Sequence, residues 1–245
     1  MPRLHLAALL TAGTLVLACT ACSGTPSTPA PAAAGTTSSA VSAPPAAPAL
    51  DAAKVGTAVT DAAKQAKAVH VKGTMTTEGS TVNLDLQLNQ DSANGTIVKD
   101  GLEIPVLRIG DKYYFRFTSS LVKQAGVPAS AAKQLTGKWV SSSAKIGAGL
   151  GEAFKTFLDY QGFTDGVLGE LGKSTFTGGE STTLAGTPAL SFKSSDGTAT
   201  VAATEPHYLL RMSDPKQGAM EFGDWNKPTT ISAPPASEMY TGPGA

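Results

Sequence analysis

His70-Val71-Lys72-Gly73-Thr74-Met75-Thr76-Thr77, then Glu78-Gly79-Ser80, then Thr81-Val82-Asn83-Leu84-Asp85-Leu86-Gln87-Leu88 is the stretch that decides the fold. In the second run Val82, Leu84, Leu86 and Leu88 alternate with polar residues. Successive side chains of a strand point to opposite faces, so this period of two describes a β-strand with one apolar and one wet side. The glycine between the runs makes them a hairpin. Working forward, Gly95 to Val98, Leu102 to Ile109 and Lys112 to Phe117 repeat the pattern, punctuated by Asn94-Gly95, Asp100-Gly101 and Gly110-Asp111. Five strands joined by short turns predict an antiparallel meander. Pro105 lies inside the fourth and marks an edge, a bulge or a break, because proline has no N–H for the ladder.

Just upstream, Asp51 to Ala68 changes period. Ala52, Val55, Val59, Ala62, Ala63 and Ala66 recur at helical spacing, with Asp51 as N-cap. The face is built of small residues, so this helix is expected to lie close to a sheet. Downstream, Ser119 to Gly172 breaks the strand pattern. Leu121, Val122, Ala125 and Val127, then Ala131, Ala132 and Leu135, suggest short helices. Lys138-Trp139-Val140 reads as extended, and Glu152 to Leu158 as a helix with Phe154, Phe157 and Leu158 on one side. About six strands then follow: 173–177, 182–184, 189–193, 198–203, 208–213 and 219–225. Helix, meander, helical insertion and second meander predict an α+β fold, with one large antiparallel sheet and helices packed on one face.

The N-terminus carries different information. Met1 to His5 holds one full charge, Arg3, and Leu6 to Ala18 is almost unbroken apolar sequence. Roughly a dozen apolar residues are too few for ~30 Å of hydrocarbon, so 1–21 reads as a signal peptide. The chain's two cysteines, Cys19 and Cys22, fall in the cleavage region, which leaves the remainder without disulfide or cysteine-metal chemistry. Val16-Leu17-Ala18-Cys19 and Cys19-Thr20-Ala21-Cys22 both resemble a lipobox. Cys22 is the expected site of diacylglyceryl attachment, with Cys19 as the alternative, and two acyl chains give a stable anchor. Residues 22–50, which after Cys22 are Ala, Pro, Ser, Thr and Gly with a single Val and a terminal Leu and carry no charge, read as a disordered tether. A domain over 51–232 follows, and 233–245 again reads as disordered.

Charge and motifs exclude several functions. Nineteen basic and nineteen acidic residues balance, leaving no nucleic-acid footprint. His5 leaves with the signal peptide, and His70 and His207 read as surface or edge side chains. No nucleophile elbow, zinc-protease helix or phosphate-cradling loop is present. Asp85, Glu103, Asp159, Asp165 and Glu221 lack the pairing of acid/base work. The expectation is a non-enzymatic protein, monomeric, with no metal and no cofactor.

Ala66-Lys67-Ala68-Val69-His70-Val71-Lys72-Gly73, Ile109-Gly110-Asp111-Lys112-Tyr113-Tyr114 and Gly137-Lys138-Trp139-Val140, in this order of elements, resemble the mycobacterial LppX/LprG-type lipoproteins, an actinobacterial family related in fold to the LolA and LolB carriers. The resemblance implies a curved half-barrel with helices on its concave face, enclosing the acyl chains of lipids or glycolipids at the outer face of the cell membrane. Val82, Leu84, Leu86 and Leu88 of the strand face, with Val122, Phe154, Phe157 and Leu158 of the insertion, are then candidate lining residues. The same residues equally fit a filled core. In that case the domain is an envelope interaction or signalling module, with Tyr113, Tyr114, Trp139, Tyr160 and Trp225 as anchors at an interface or as half-buried sheet packing. A cavity of several hundred Å³ distinguishes the two.

Overall fold

The computed structural model describes residues 50–77 and 79–245. The expected signal peptide, both cysteines and nearly all of the tether lie outside the described residues. Asp51 caps a 3-10 turn, Ala52–Lys54, by accepting from the Ala53 amide at 2.9 Å, and helix α1 (Val55–Gln65) continues from it. The helix stops short of the expected Ala68, because Ala66 is already extended and strand β1 (Ala68–Thr77) begins two residues on.

The first meander is as the periodicity describes: β2 (Ser80–Asn89), β3 (Ser92–Lys99), β4 (Leu102–Ile109) and β5 (Lys112–Arg116). Asp100 and Gly101 both have positive φ in the two-residue turn between β3 and β4, the geometry that Asp-Gly favours. Pro105 is paired with Thr96 of β3. On the other side the β4–β5 ladder runs only from Val106↔Phe115 to Ile109↔Lys112, so the proline sits just beyond the paired stretch. Helices α2 (Ser119–Gln124) and α3 (Ala129–Leu135) lead to a short edge strand, β6 (Trp139–Ser141). Then come α4 (Ala148–Leu158), α5 (Tyr160–Phe163), a π-helical turn over Thr164–Leu168 and a 3-10 turn over Gly169–Lys173.

The second meander has five strands rather than about six: β7 (Thr177–Leu184), β8 (Thr187–Ser194), β9 (Gly197–Ala202), β10 (Leu209–Asp214) and β11 (Gly218–Gly223). The two short stretches read at 173–177 and 182–184 resolve into the 3-10 turn and one strand, β7, whose register shifts at Gly178–Glu180. A bulge there breaks the alternation and hides the strand from a period count. Antiparallel pairing of β1 with β11 fuses both meanders into one sheet, ordered β6-β5-β4-β3-β2-β1-β11-β10-β9-β8-β7. The sheet is open, with β6 and β7 as its edges.

Helices cover the face bearing Val69, Val71, Leu84, Leu86, Leu88, Ile97, Ile104, Val106 and Phe115, all buried. Phe115 meets Phe154 of α4 with ring centroids 6.1 Å apart, and Phe163 meets Phe222 of β11 at 6.3 Å. The small-residue face of α1 permits a very close approach. A Cβ on Gly56 would lie 2.4 Å from the Leu171 carbonyl oxygen, so this face abuts the 3-10 turn. The Tyr160 hydroxyl donates to the Ala63 carbonyl at 2.7 Å and ties α5 to the same helix. Arg108, buried on β4, reaches Asp159 at 2.9 Å, and Asp159 caps α5 by accepting from the Gly162 amide.

The expectation of a disordered tail is corrected. After β11 the chain crosses the end of the sheet as a strap. Asn226 donates to the Ala68 carbonyl, and the Asn89 side chain both donates to and accepts from the Thr229 backbone. Met239 then bridges Trp139 in parallel, the Tyr240 amide donates to the Trp139 carbonyl at 2.8 Å, and the Tyr240 ring is buried. The open edge of β6 supplies unpaired backbone groups, and a proline-rich segment with little conformational entropy to lose is well suited to satisfy them.

Candidate functional site

The inner face of the sheet can be followed across strands in register. One row reads Phe192, Ala199, Met212, Met220, Gly73, Leu84, Ile97, Ile104, apolar apart from one glycine. The next row toward the sheet's end begins Ser194–Gly197, continues through Asp214–Gly218, and reaches Met75 and Val82. This row has almost no side-chain volume on β9 and β11. Neither glycine is replaceable by a larger residue. A Cβ on Gly197 would fall 2.2 Å from the Ser213 carbonyl oxygen, and one on Gly218 would fall 2.3 Å from that of Thr74.

The missing volume is not made up from above. The segment Val167–Ser174 arches over these strands, and between it and the sheet lies a cavity of about 420 Å³. Its apolar lining comes from Met75, Met212, Met220, Phe176, Val167 and Leu171. Three methionines give a polarizable and adaptable wall. The polar lining comes from the ends and turns of β8–β9 and β10–β11 (Ser194, Asp196, Asp214 and Gln217) and from the covering 3-10 segment (Glu170, Lys173 and Ser174). The volume lies within the ~300–1,000 Å³ range of small-ligand sites.

The lining residues expected from the sequence are brought together elsewhere. Leu84, Leu86, Leu88, Val122, Phe154 and Leu158 belong to one continuous buried core, and Val82 and Phe157 are half-buried against it. None of the eight lines this cavity, although Val82 is the cross-strand neighbour of Met75. The strands of the first meander are covered by α2 and α4, and Phe154 of α4 packs on Phe115 of β5. The sequence signal for the actual cavity is the pair Asp196-Gly197 and Gly218, which a linear reading takes only as turns.

The outward face carries the titratable groups. Asp85 on β2 contacts the His70 ring nitrogen Nε2 at 2.8 Å and the Lys72 ammonium at 3.1 Å. Burial works to raise the Asp85 pKa, but the hydrogen bonds from His70 and Lys72 outweigh it and hold the carboxyl below its ordinary value. The row continues as Glu221 and Arg211 on β11 and β10, an alternation of charge that fixes register across the sheet. His207 contacts the Ala202 carbonyl at 2.9 Å, a backbone anchor. Among the expected aromatic anchors, Tyr113 and Tyr160 are buried, and burial pushes the Tyr160 phenol well above its usual range. Trp225 stacks on Tyr208 at 4.8 Å and donates to the Leu209 carbonyl. Among the described residues no group of three or more His, Cys, Asp or Glu is placed to hold a metal ion. No helix among them is long and apolar enough to cross a membrane.

The structure is similar to LprF and LppX. LprF from Mycobacterium bovis aligns at 13% identity and a TM-score of 0.46, over 75% of this chain and 96% of that one. The lipoprotein LppX of Mycobacterium tuberculosis aligns at 15% identity and a TM-score of 0.44, over 74% of this chain and 98% of that one. MucB of Pseudomonas aeruginosa, in complex with MucA, aligns at 12% identity and a TM-score of 0.33, over 79% of this chain and 62% of that one. No protein-family model matches the sequence, and no curated protein does.

Proposed function

We propose that this protein is a non-enzymatic lipoprotein, anchored at the outer face of the cell membrane, whose domain holds an acyl chain of a lipid in the methionine-lined cavity. The cavity carries this reading: its walls are apolar side chains from β1, β10 and β11 and from the 164–173 segment, and polar groups of the β8–β9 and β10–β11 turns adjoin them. A chain buried there with its head at the turns satisfies both halves of the lining. The anchor is the diacylglyceryl group of Cys22, or of Cys19, at the head of the 22–50 tether.

The decisive experiment is mass spectrometry of organic extracts of the full protein purified natively from its host. A stoichiometric acylated lipid, beyond the protein's own anchor, is expected, and it should be absent from an Ala199→Leu variant that remains folded. A lipid-free wild-type protein would remove this reading. The second reading, an envelope interaction or signalling module, draws on the packing of six of the eight sequence-expected residues into closed core. It would then take precedence. Incorporation of labelled palmitate into Cys19→Ala and Cys22→Ala variants identifies the anchor. Loss of label in neither single variant would exclude both single-site assignments.

A further inference from the structure

We infer that the mouth of the cavity is a head-group selector, admitting a chain with an uncharged or cationic head and turning away an anionic one. This rests on the reading of the cavity as a lipid site. Four charged residues line the cavity: Glu170, Lys173, Asp196 and Asp214. The one cation is already engaged, since the Lys173 ammonium lies 2.7 Å from a Glu170 oxygen. Asp196 and Asp214 are held by neutral donors. The Ser174 and Ser195 hydroxyls donate to Asp196, and the amides of Lys216 and Gln217 both donate to Asp214 Oδ1. Their charges are therefore not cancelled within the lining.

Position gives these charges their effect. Asp214 lies on the inner-face row, opposite Gly218 and beside Gly197, where no other side chain intervenes along the strand register. Lys216, two residues beyond Asp214, is exposed in the turn and does not line the cavity. A phosphate or carboxylate head seated at this end meets two like charges. The single cation of the lining, Lys173, already faces the Glu170 carboxylate. A head rich in hydroxyls or N–H groups instead finds carboxylate acceptors, and a cationic head finds attraction.

The test uses the full chain carrying Cys19→Ser and Cys22→Ser, produced without export so that it acquires no acyl group of its own. Three probes with the same twelve-carbon chain are titrated calorimetrically at low salt, below their micellar concentrations: monolauroylglycerol, dodecyltrimethylammonium and laurate. The neutral and cationic probes are expected to bind roughly tenfold more tightly than laurate, with the gap narrowing as salt rises. Adding Asp196→Asn and Asp214→Asn retains the acceptor oxygens of both turns. It should raise laurate affinity by about tenfold and leave monolauroylglycerol within about twofold. Laurate binding as tightly as monolauroylglycerol to the unaltered cavity overturns the selector and leaves the lipid site standing. Binding of no probe, or binding that Ala199→Leu does not change, removes the lipid site and the selector with it.

Discussion

Replacing Ala199 by leucine tests whether the space between β9–β11 and the 164–173 segment is empty and available. Ala199 is 2% exposed, points to the inner face opposite Phe192 and Met212, and lines the cavity. Leucine adds three carbon atoms there without touching Gly197 or Gly218, whose positions tolerate no Cβ. At ~0.8 kcal/mol per buried methylene the added carbons contribute up to about 2 kcal/mol. Fixing the leucine rotamer removes ~0.5–1 kcal/mol. The ligand-free variant should therefore be about 1–1.5 kcal/mol more stable than the wild type, read as a higher urea midpoint at unchanged m-value. At the same time the added group occupies space an acyl chain would use, so binding of monolauroylglycerol should fall by about tenfold or more. Opposite signs for stability and binding are the diagnostic. A variant destabilised by more than ~1 kcal/mol would refute the reasoning, because overpacking of that size means Ala199 faces a filled core.

Other substitutions test the surrounding frame. Gly56→Ala drives a methyl group against the Leu171 carbonyl and the Gly172 backbone, and should cost about 1–3 kcal/mol in chemical denaturation. An unchanged midpoint would show that α1 and the 3-10 turn do not approach as described. Ala185 has φ 47° in the two-residue turn between β7 and β8, so Ala185→Asn should stabilise by ~0.5–1 kcal/mol, measured by thermal melting. The folded-state pKa of Asp85 lies below its unfolded value, so its contribution is complete at neutral pH and lost as pH falls through the carboxylate range. The stability difference between wild type and Asp85→Asn should accordingly shrink from about pH 6 to about pH 3. A constant difference would place the effect in packing instead. Truncation after Ile231 removes the Tyr240 ring from its site and uncovers β6, and should cost ~2 kcal/mol or more while promoting self-association in light scattering.

What was legible in the sequence is what strict periodicity dictates. Leu84, Leu86 and Leu88 alternate because β2 has both neighbours paired and one buried face, and the inference from alternation to an inward-facing apolar row holds at every one of them. The small-residue spacing of α1 points to a close contact, but the partner at Gly56 is the turn at Leu171 and not, as expected, the sheet. Two features were hidden. The strap at 232–245 has the composition of a linker, and only its register on an edge strand 100 residues earlier gives it a structure. The cavity is hidden for a related reason. It arises where side chains are missing from a row assembled across six strands, and no local window of sequence contains that row.

This explains why the apolar residues of the first meander do not line the cavity. A close-packed interior leaves space only where the facing elements fail to supply atoms. Opposite β2–β5 the insertion supplies Phe154 and Leu158, and the face closes. Opposite β9–β11 it supplies a run of short turns, with Gly166, Gly169 and Gly172 interspersed with Val167 and Leu171, over strands whose last inner row is Ser194, Gly197, Asp214 and Gly218. Volume is missing from both sides of the same place, and backbone contacts at both strand glycines prevent it from being regained by simple substitution. Residual space of this kind costs stability unless something occupies it. Gly197 and Gly218 therefore deserve more weight in assigning the site than any leucine of the sheet, because they keep it open.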